Sequence, residues 1–168
     1  MREVKDPFRA AAASRQLPQN SKIQVVQVGK ALSEEMDSLA QSEVVTNLRY
    51  RWLGEQPRWK AVRTMARSRL MVLSSVMEGG ANVVCEALAC SVPVISTHIS
   101  GSIGLLGEDY PGYFPVGDTK ALADLMSRAE TDVEFYEDLR TRCIRQASLI
   151  DPAEERKAWE NLLGEMVA

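Results

Sequence analysis

Residues 70–97 read LMVLSSVMEGGANVVCEALACSVPVIST. The first five, Leu70 to Ser74, are apolar almost without interruption, and an unalternated apolar run of that length suits a strand covered on both faces. Glu78-Gly79-Gly80 then supplies a glycine-containing turn. A helix is predicted from about Ala81 to Cys90, and Pro93 to Thr97 is predicted to be the next strand. Two buried strands joined through a helix form a crossover unit, which makes them parallel neighbours.

The same alternation continues in both directions. Upstream, Asp6-Pro7 predicts a helix start, with Asp6 as cap and the alanine-rich stretch to Arg15 as its body. Ile23 to Val28 is rich in β-branched residues and predicts a strand ending at Gly29. Ala31 to Ser42 is predicted helical, with Leu32, Met36 and Leu39 on one face. Tyr50 to Leu53 is a shorter strand closed by Gly54, and Pro57 introduces a helix over Arg58 to Ser68. Downstream, Gly112 to Val116 predicts a fifth strand. Asp118 caps a helix whose stripe is Leu122, Leu125, Met126 and Ala129. Helices follow at Val133–Leu149 and Pro152–Met166, the latter with a stripe of Trp159, Leu162, Leu163 and Met166 expected to pack within the domain. The expected fold is α/β: one doubly wound, Rossmann-like parallel sheet with helices on both faces, spanning residues 1–168 as a single domain.

Composition narrows the function classes. The chain has 168 residues, 45% hydrophobic and 26% charged, which is ordinary for a globular domain and excludes disorder. Net charge is −3, so bulk attraction to nucleic acid or anionic membrane is not expected. Apolar runs such as Ile103 to Leu106 are too short to cross a bilayer. The first residues carry no apolar signal-peptide core, so a cytoplasmic location is the expectation. Cys85, Cys90 and Cys143 form no Cys-x-x-Cys pair, and His98 is the one histidine, so neither a disulfide framework nor a metal site is expected. Buried inert thiols are the default reading of Cys85 and Cys90, and a structural role that of His98.

In open parallel sheets ligands sit at the carboxyl ends of the strands. The segment after Ser74-Ser75 is therefore the place to look for chemistry. Its glycines allow close backbone approach, and a helix starting near Asn82 offers unpaired N–H groups and a positive dipole end to an anion such as phosphate. Glu78 precedes that helix and Glu86 lies within it. Carboxylates are acceptors only, so they suit hydroxyl groups on either side of a phosphate rather than the phosphate itself. That pattern fits a sugar–diphosphate–ribose ligand. A plain loop with two solvated glutamates is the competing reading of the same residues.

The segment Glu78-Gly-Gly-Ala-Asn-Val-Val-Cys-Glu86-Ala-Leu-Ala-Cys-Ser-Val-Pro93-Val-Ile resembles the E-x7-E signature of retaining family 4 glycosyltransferases of the GT-B fold. Arg51-Trp52-Leu53-Gly54 is similar to the strand and glycine that precede that family's base-binding loop. Lys5 stands where the family has the lysine that reaches the donor phosphates. The resemblance covers nearly the whole chain, as the C-terminal, donor-binding half.

It implies roles for single residues. Glu78 binds donor-sugar hydroxyls and Lys5 neutralises diphosphate charge; these are the two expected catalytic residues. Gly79, Gly80, Ala81, Asn82 and Val83 supply backbone N–H groups, Glu86 accepts from the ribose, and Gly54 lies near the base. Arg58 could also lie near the nucleotide. The donor is a nucleotide sugar, a UDP-sugar by the same resemblance, with no other cofactor and no metal; no Asp-x-Asp motif occurs.

Val4-Lys5-Asp6-Pro7-Phe8-Arg9 and Gly104 to Asp118 (GLLGEDYPGYFPVGD) resemble one subgroup, the selenosugar synthases, which implies selenophosphate as acceptor. The resemblance also implies an N-terminal acceptor domain, and a first strand with a glycine-containing loop upstream of Lys5, none of which lies within residues 1–168. Turnover by this chain alone is then not expected. In the strand order 3-2-1-4-5-6 the absent strand is central. Either residues 1–4 or another chain partly fills its place, or the sheet is locally open there. The alternative reading is a non-catalytic nucleotide- or phosphate-binding α/β module.

Overall fold

Strand propensity concentrates where β-branched and aromatic residues cluster, and five short strands form there. The computed structural model describes residues 1–167, without the side chains of residues 152, 155, 158, 164, 166 and 167. The strands are β1 (Val25–Gln27), β2 (Tyr50–Trp52), β3 (Met71–Leu73), β4 (Val94–Thr97) and β5 (Tyr113–Phe114). Each lies inside its predicted segment but is shorter, because only residues with ladder partners continue the pairing. Every pairing is parallel, β1 with β2 and β3 with β4 with β5.

The predicted single sheet is corrected in one respect. The strands form a two-stranded and a three-stranded sheet, with no ladder between β1 and β3. Residues 1–4 add no ladder between them, but they link the two sides beyond the strands' carboxyl ends, where the Met1 ammonium donates to the Lys30 carbonyl. Glu3–Lys5 is a 3-10 turn, and the Val4 carbonyl accepts instead from the Val76 amide at 2.8 Å, beyond the end of β3.

The helices are α1 (Arg9–Ser14), α2 (Glu34–Thr46), α3 (Arg58–Ala66), α4 (Asn82–Ala89), α5 (Ser100–Leu106), α6 (Thr119–Thr131), α7 (Val133–Gln146) and α8 (Pro152–Val167). Asp118 caps α6 by accepting from the Ala121 amide, and Leu122, Met126 and Ala129 of its stripe are buried. Three expectations fail. Asp6 adopts a left-handed φ of 42° and ends the 3-10 turn, so α1 starts later, at Arg9. Helix α2 starts at Glu34 with Ser33 as its cap, and buries Ala40 while Leu32 and Leu39 stay exposed. Trp159, Leu162 and Leu163 of α8 are exposed rather than packed; the Met166 side chain lies outside the described residues. Helix α5, unpredicted, occupies a segment with two glycines and two serines, which carry little helix propensity.

The core lies around β3 and β4. Val94, Ile95, Leu88, Leu122, Leu139 and Phe114 are all essentially inaccessible. Helix α1 packs on α6, α6 on α7, and α4 against α3, α5 and α7. The result is parallel strands flanked by helices, with the carboxyl ends of β1 and β3 side by side. Among the described residues no helix is long and apolar enough to cross a membrane.

Candidate functional site

A cleft of about 510 Å³ opens at the carboxyl ends of β1 and β3. Strand β3 delivers Ser74 and Ser75 to its edge, and Gln27, Val28 and Gly29 continue from β1 on the other side. Of the residues singled out in the sequence, Lys5, Glu78, Gly80, Ala81, Asn82, Val83 and Glu86 all line this one cleft. Gly79 and Gly54 do not line it. Gly54 stands one layer back, where its carbonyl accepts from the Gly29 amide at 2.8 Å. His98 is also outside: its ring packs on Tyr113 with centroids 4.9 Å apart, and its Nε2 lies 3.8 Å from Glu108.

Glu78 is held by two donors. The Lys5 ammonium and the Ser75 hydroxyl, the latter at 2.7 Å, both donate to its Oε1. Oε2 has no hydrogen-bond partner among the described residues. Its side chain is only 8% exposed. Burial would raise its pKa, but the hydrogen bonds from Lys5 and Ser75 and the charge of Lys5 outweigh it and hold the carboxyl below its ordinary value. Glu78 is therefore an ionised acceptor at neutral pH, with one oxygen to spare.

The supports of this arrangement were not visible in the sequence. The Ser74 hydroxyl donates to the Asp6 carbonyl at 2.8 Å, fixing the turn that carries Lys5. The Thr97 hydroxyl, at the end of β4, donates to the Ser75 carbonyl at 2.7 Å. Gly101 lies against the Glu78 backbone: a Cβ there would be 2.5 Å from the Glu78 carbonyl oxygen. Ser74, Ser75, Thr97 and Gly101 lie on three separate elements, so no local pattern could have linked them to Glu78.

Helix α4 begins without a side-chain cap, since Ala81 stands at its N-cap. The Val84 and Cys85 amides turn back to the Ala81 carbonyl, and the Asn82 amide to the Gly80 carbonyl. The Val83 amide has no such partner among the described residues and lies in the cleft wall. An uncapped N-terminus beside an ammonium group is a favourable place for an anion. One turn on, Glu86 accepts from Arg58 Nε and Nη2, both at 3.2 Å and both on Oε1. Arg58 is 85% exposed, so this pair contributes little and exchanges readily.

The chain is similar to known proteins. The family model for glycosyl transferases group 1 matches residues 1–148. The chain belongs to this family. A curated relative, the N-acetyl-alpha-D-glucosaminyl L-malate synthase of Bacillus anthracis, is 33% identical over 105 residues, which is 60% of this chain and 27% of that protein. Among solved structures, Anabaena HepE in complex with UDP superposes with a TM-score of 0.83 at 20% identity, over 98% of this chain and 46% of that one. Sucrose-phosphate synthase from Thermosynechococcus elongatus superposes at 0.77 with 21% identity, over 99% of this chain and 43% of that one. The likeness to these structures shows a shared fold, that of GT-B glycosyltransferases. The group 1 glycosyltransferase chain described here spans less than half the length of each of these proteins.

Proposed function

We propose that residues 1–168 form the donor-binding domain of a retaining glycosyltransferase, and that the cleft at β1 and β3 takes a nucleotide diphosphate sugar, UDP-linked as in the HepE complexes. The observation that carries the reading is the convergence of Lys5, Glu78, the uncapped start of α4 and Glu86 in one cleft. The order of chemistry along it is acceptor carboxylate, cation and free amides, acceptor carboxylate. The ligand has the matching order of sugar hydroxyls, diphosphate and ribose hydroxyls.

In this reading Glu78 Oε2 accepts from a hydroxyl of the donor sugar while Oε1 keeps Lys5 and Ser75. The Lys5 ammonium and the start of α4, with its unpartnered Val83 amide, face the diphosphate. As the bond from the anomeric carbon to the diphosphate oxygen breaks, negative charge grows on that oxygen and these groups stabilise it. The acceptor atom forms its bond to the anomeric carbon on the same face, and the nucleoside diphosphate leaves. Glu86 exchanges Arg58 for the ribose hydroxyls. An acceptor domain elsewhere in the full-length protein completes the reaction, which is placed in the cytoplasm.

The acceptor reading is finer. Selenophosphate is supported by the Val4–Arg9 and Gly104–Asp118 stretches alone. The first reaches the turn after the second: Arg9 Nη1 donates to Thr119 Oγ1 at 2.7 Å.

Calorimetric titration with UDP and with UDP-glucose tests the assignment. Glu86→Ala is expected to weaken both ligands, and Glu78→Ala to weaken the sugar nucleotide while leaving UDP nearly unchanged. A hydrogen bond to a charged group contributes about 1.5–3 kcal/mol, so each loss should be about 10- to 100-fold. Small and equal effects of both substitutions on both ligands would favour a plain loop and the non-catalytic module.

A further inference from the structure

Asp6 has φ 42° and ψ 58°, the left-handed region, and among the described residues other than glycine only Ser91 shares a positive φ. Aspartate tolerates this backbone better than most side chains, but still at a cost. Such a residue persists where its surroundings over-determine it. Pro7 contributes by disfavouring the right-handed alternative for the residue before it. The Asp6 amide donates to the Glu3 carbonyl at 2.8 Å, and the Asp6 carbonyl accepts from the Ser74 hydroxyl at 2.8 Å and from the Arg9 amide at 3.2 Å. Its carboxylate accepts from Arg9 Nε at 2.6 Å. The far end of the same guanidinium, Nη1, donates to Thr119 Oγ1 at 2.7 Å. Both charged groups are partly buried, so solvent and salt screen this pair less than an exposed one.

We infer that Arg9 is a positioning residue for Lys5: by bridging the Asp6 carboxylate to the first residue of α6, it keeps Asp6 left-handed and so aims the Lys5 ammonium into the cleft. The functional consequence rests on the diphosphate reading of that cleft. Lys5 is a flexible stem carrying three donors, one of them on Glu78. Its side chain is 43% exposed, so packing does not fix it, and its direction depends on the backbone from which it starts. Val76 and Ser74 hold that backbone from the β3 side, through the Val4 and Asp6 carbonyls. Arg9 holds it from the α6 side. A cation contributes fully to a developing charge only when it stands in place, and a misplacement of about 1 Å can cost as much as 100-fold. Arg9 is not among the residues that line the cleft, so its effect passes through Lys5 rather than through a ligand.

Calorimetric titration of the 168-residue chain with UDP and with uridine, which lacks the diphosphate, tests the assignment. Lys5→Ala should weaken UDP about 10- to 100-fold and leave uridine unchanged. Arg9→Ala should weaken UDP about 3- to 10-fold, again with uridine unchanged, and Lys5→Ala/Arg9→Ala should bind UDP no more weakly than Lys5→Ala alone. Asp6→Asn keeps an acceptor for Arg9 and a tolerance for left-handed backbone, and should stay within about twofold of the parent. Additive losses in the double variant would overturn the inference. Loss of UDP and uridine alike in Arg9→Ala, or of neither, would do the same. Lys5→Ala without effect on UDP would overturn the diphosphate reading alone, and a readout that needs no ligand then decides the positioning. Despite burial, hydrogen bonds from Lys5 and Ser75 hold the Glu78 carboxyl below its ordinary pKa. In a carbon NMR titration, Arg9→Ala should raise the Glu78 value toward that in Lys5→Ala. An unchanged Glu78 titration in Arg9→Ala would show that Lys5 keeps its place without Arg9. Thr119→Val, which frees only the outer end of the guanidinium, supplies both readouts should Arg9→Ala fail to fold.

Discussion

Lys5 and Glu78 lie 73 positions apart in the chain, yet the Lys5 ammonium donates to Glu78 Oε1 inside the cleft. Neither residue could be placed by its neighbours alone. Lys5 follows an N-terminal segment with no regular helix or strand, and Glu78 sits in a loop. Ser74 joins them by holding the Lys5 turn from one side while Ser75 holds Glu78 from the other.

This pair makes stability depend on acid. The folded-state pKa of Glu78 is depressed, so its contribution is present above the unfolded carboxylate value of about 4.3 and is lost as pH falls through the lower folded value. Glu78→Gln should lower the melting temperature at pH 7. The gap between variant and parent should close by about pH 3. A gap of the same size at both pH values would mean that packing, not ionisation, accounts for the loss.

Gly101 is expected to be irreplaceable for positional reasons. An alanine Cβ would stand 2.5 Å from the Glu78 carbonyl oxygen and 2.9 Å from the Glu78 Cβ, so the loop must shift. Overpacking of this kind costs about 1–3 kcal/mol. Gly101→Ala should therefore melt earlier and also lose affinity for UDP-glucose more than for UDP. Unchanged melting and unchanged binding would show that the loop yields freely.

Tyr50 carries a buried hydroxyl with no hydrogen-bond partner among the described residues. Burial, and then the charge of Glu43, push its phenol up to about 12, so the folded state resists ionisation that the unfolded chain undergoes near 10. Stability must fall as pH rises past 10. Tyr50→Phe should remove the unsatisfied group and gain on the order of 1 kcal/mol at pH 7, with a smaller alkaline loss. Urea denaturation of both forms at pH 7 and pH 11 reads both effects.

Core and surface should separate cleanly. Leu88, fully buried on the helix that carries Glu86, should cost about 2–5 kcal/mol as Leu88→Ala. Val45, 78% exposed on α2, should change stability by less than about 0.5 kcal/mol as Val45→Ala. Chemical denaturation at neutral pH distinguishes the two.

In the proposed reaction Lys5 and the start of α4 stabilise the leaving diphosphate, so full-length enzyme should keep its transfer activity in excess EDTA. Activity abolished by chelation and restored by magnesium or manganese would assign that charge to a divalent ion instead.

What the sequence determined by itself was the order of elements and the place where chemistry gathers. Unalternated apolar runs such as LMVL and VPVI occur only where a strand is covered on both faces, and their helical crossover leaves parallel pairing as the outcome. The segment from Glu78 to Glu86 was legible because a turn, a helix start and two carboxylates are local features. Tertiary structure alone decided the rest. The Leu32 and Leu39 stripe promised a buried face on α2, but that helix packs mainly on β2, in the smaller sheet, and Leu32, Leu39, Val44 and Val45 stay exposed. The part played by Gly101 depends on how α5 lies against the Glu78 loop, and that of Ser74 and Thr97 on strand ends that meet only after folding. The opening between β1 and β3 is also a property of assembly: the backbone groups of each strand pair with one neighbour, and no local pattern says whether the other edge meets a partner.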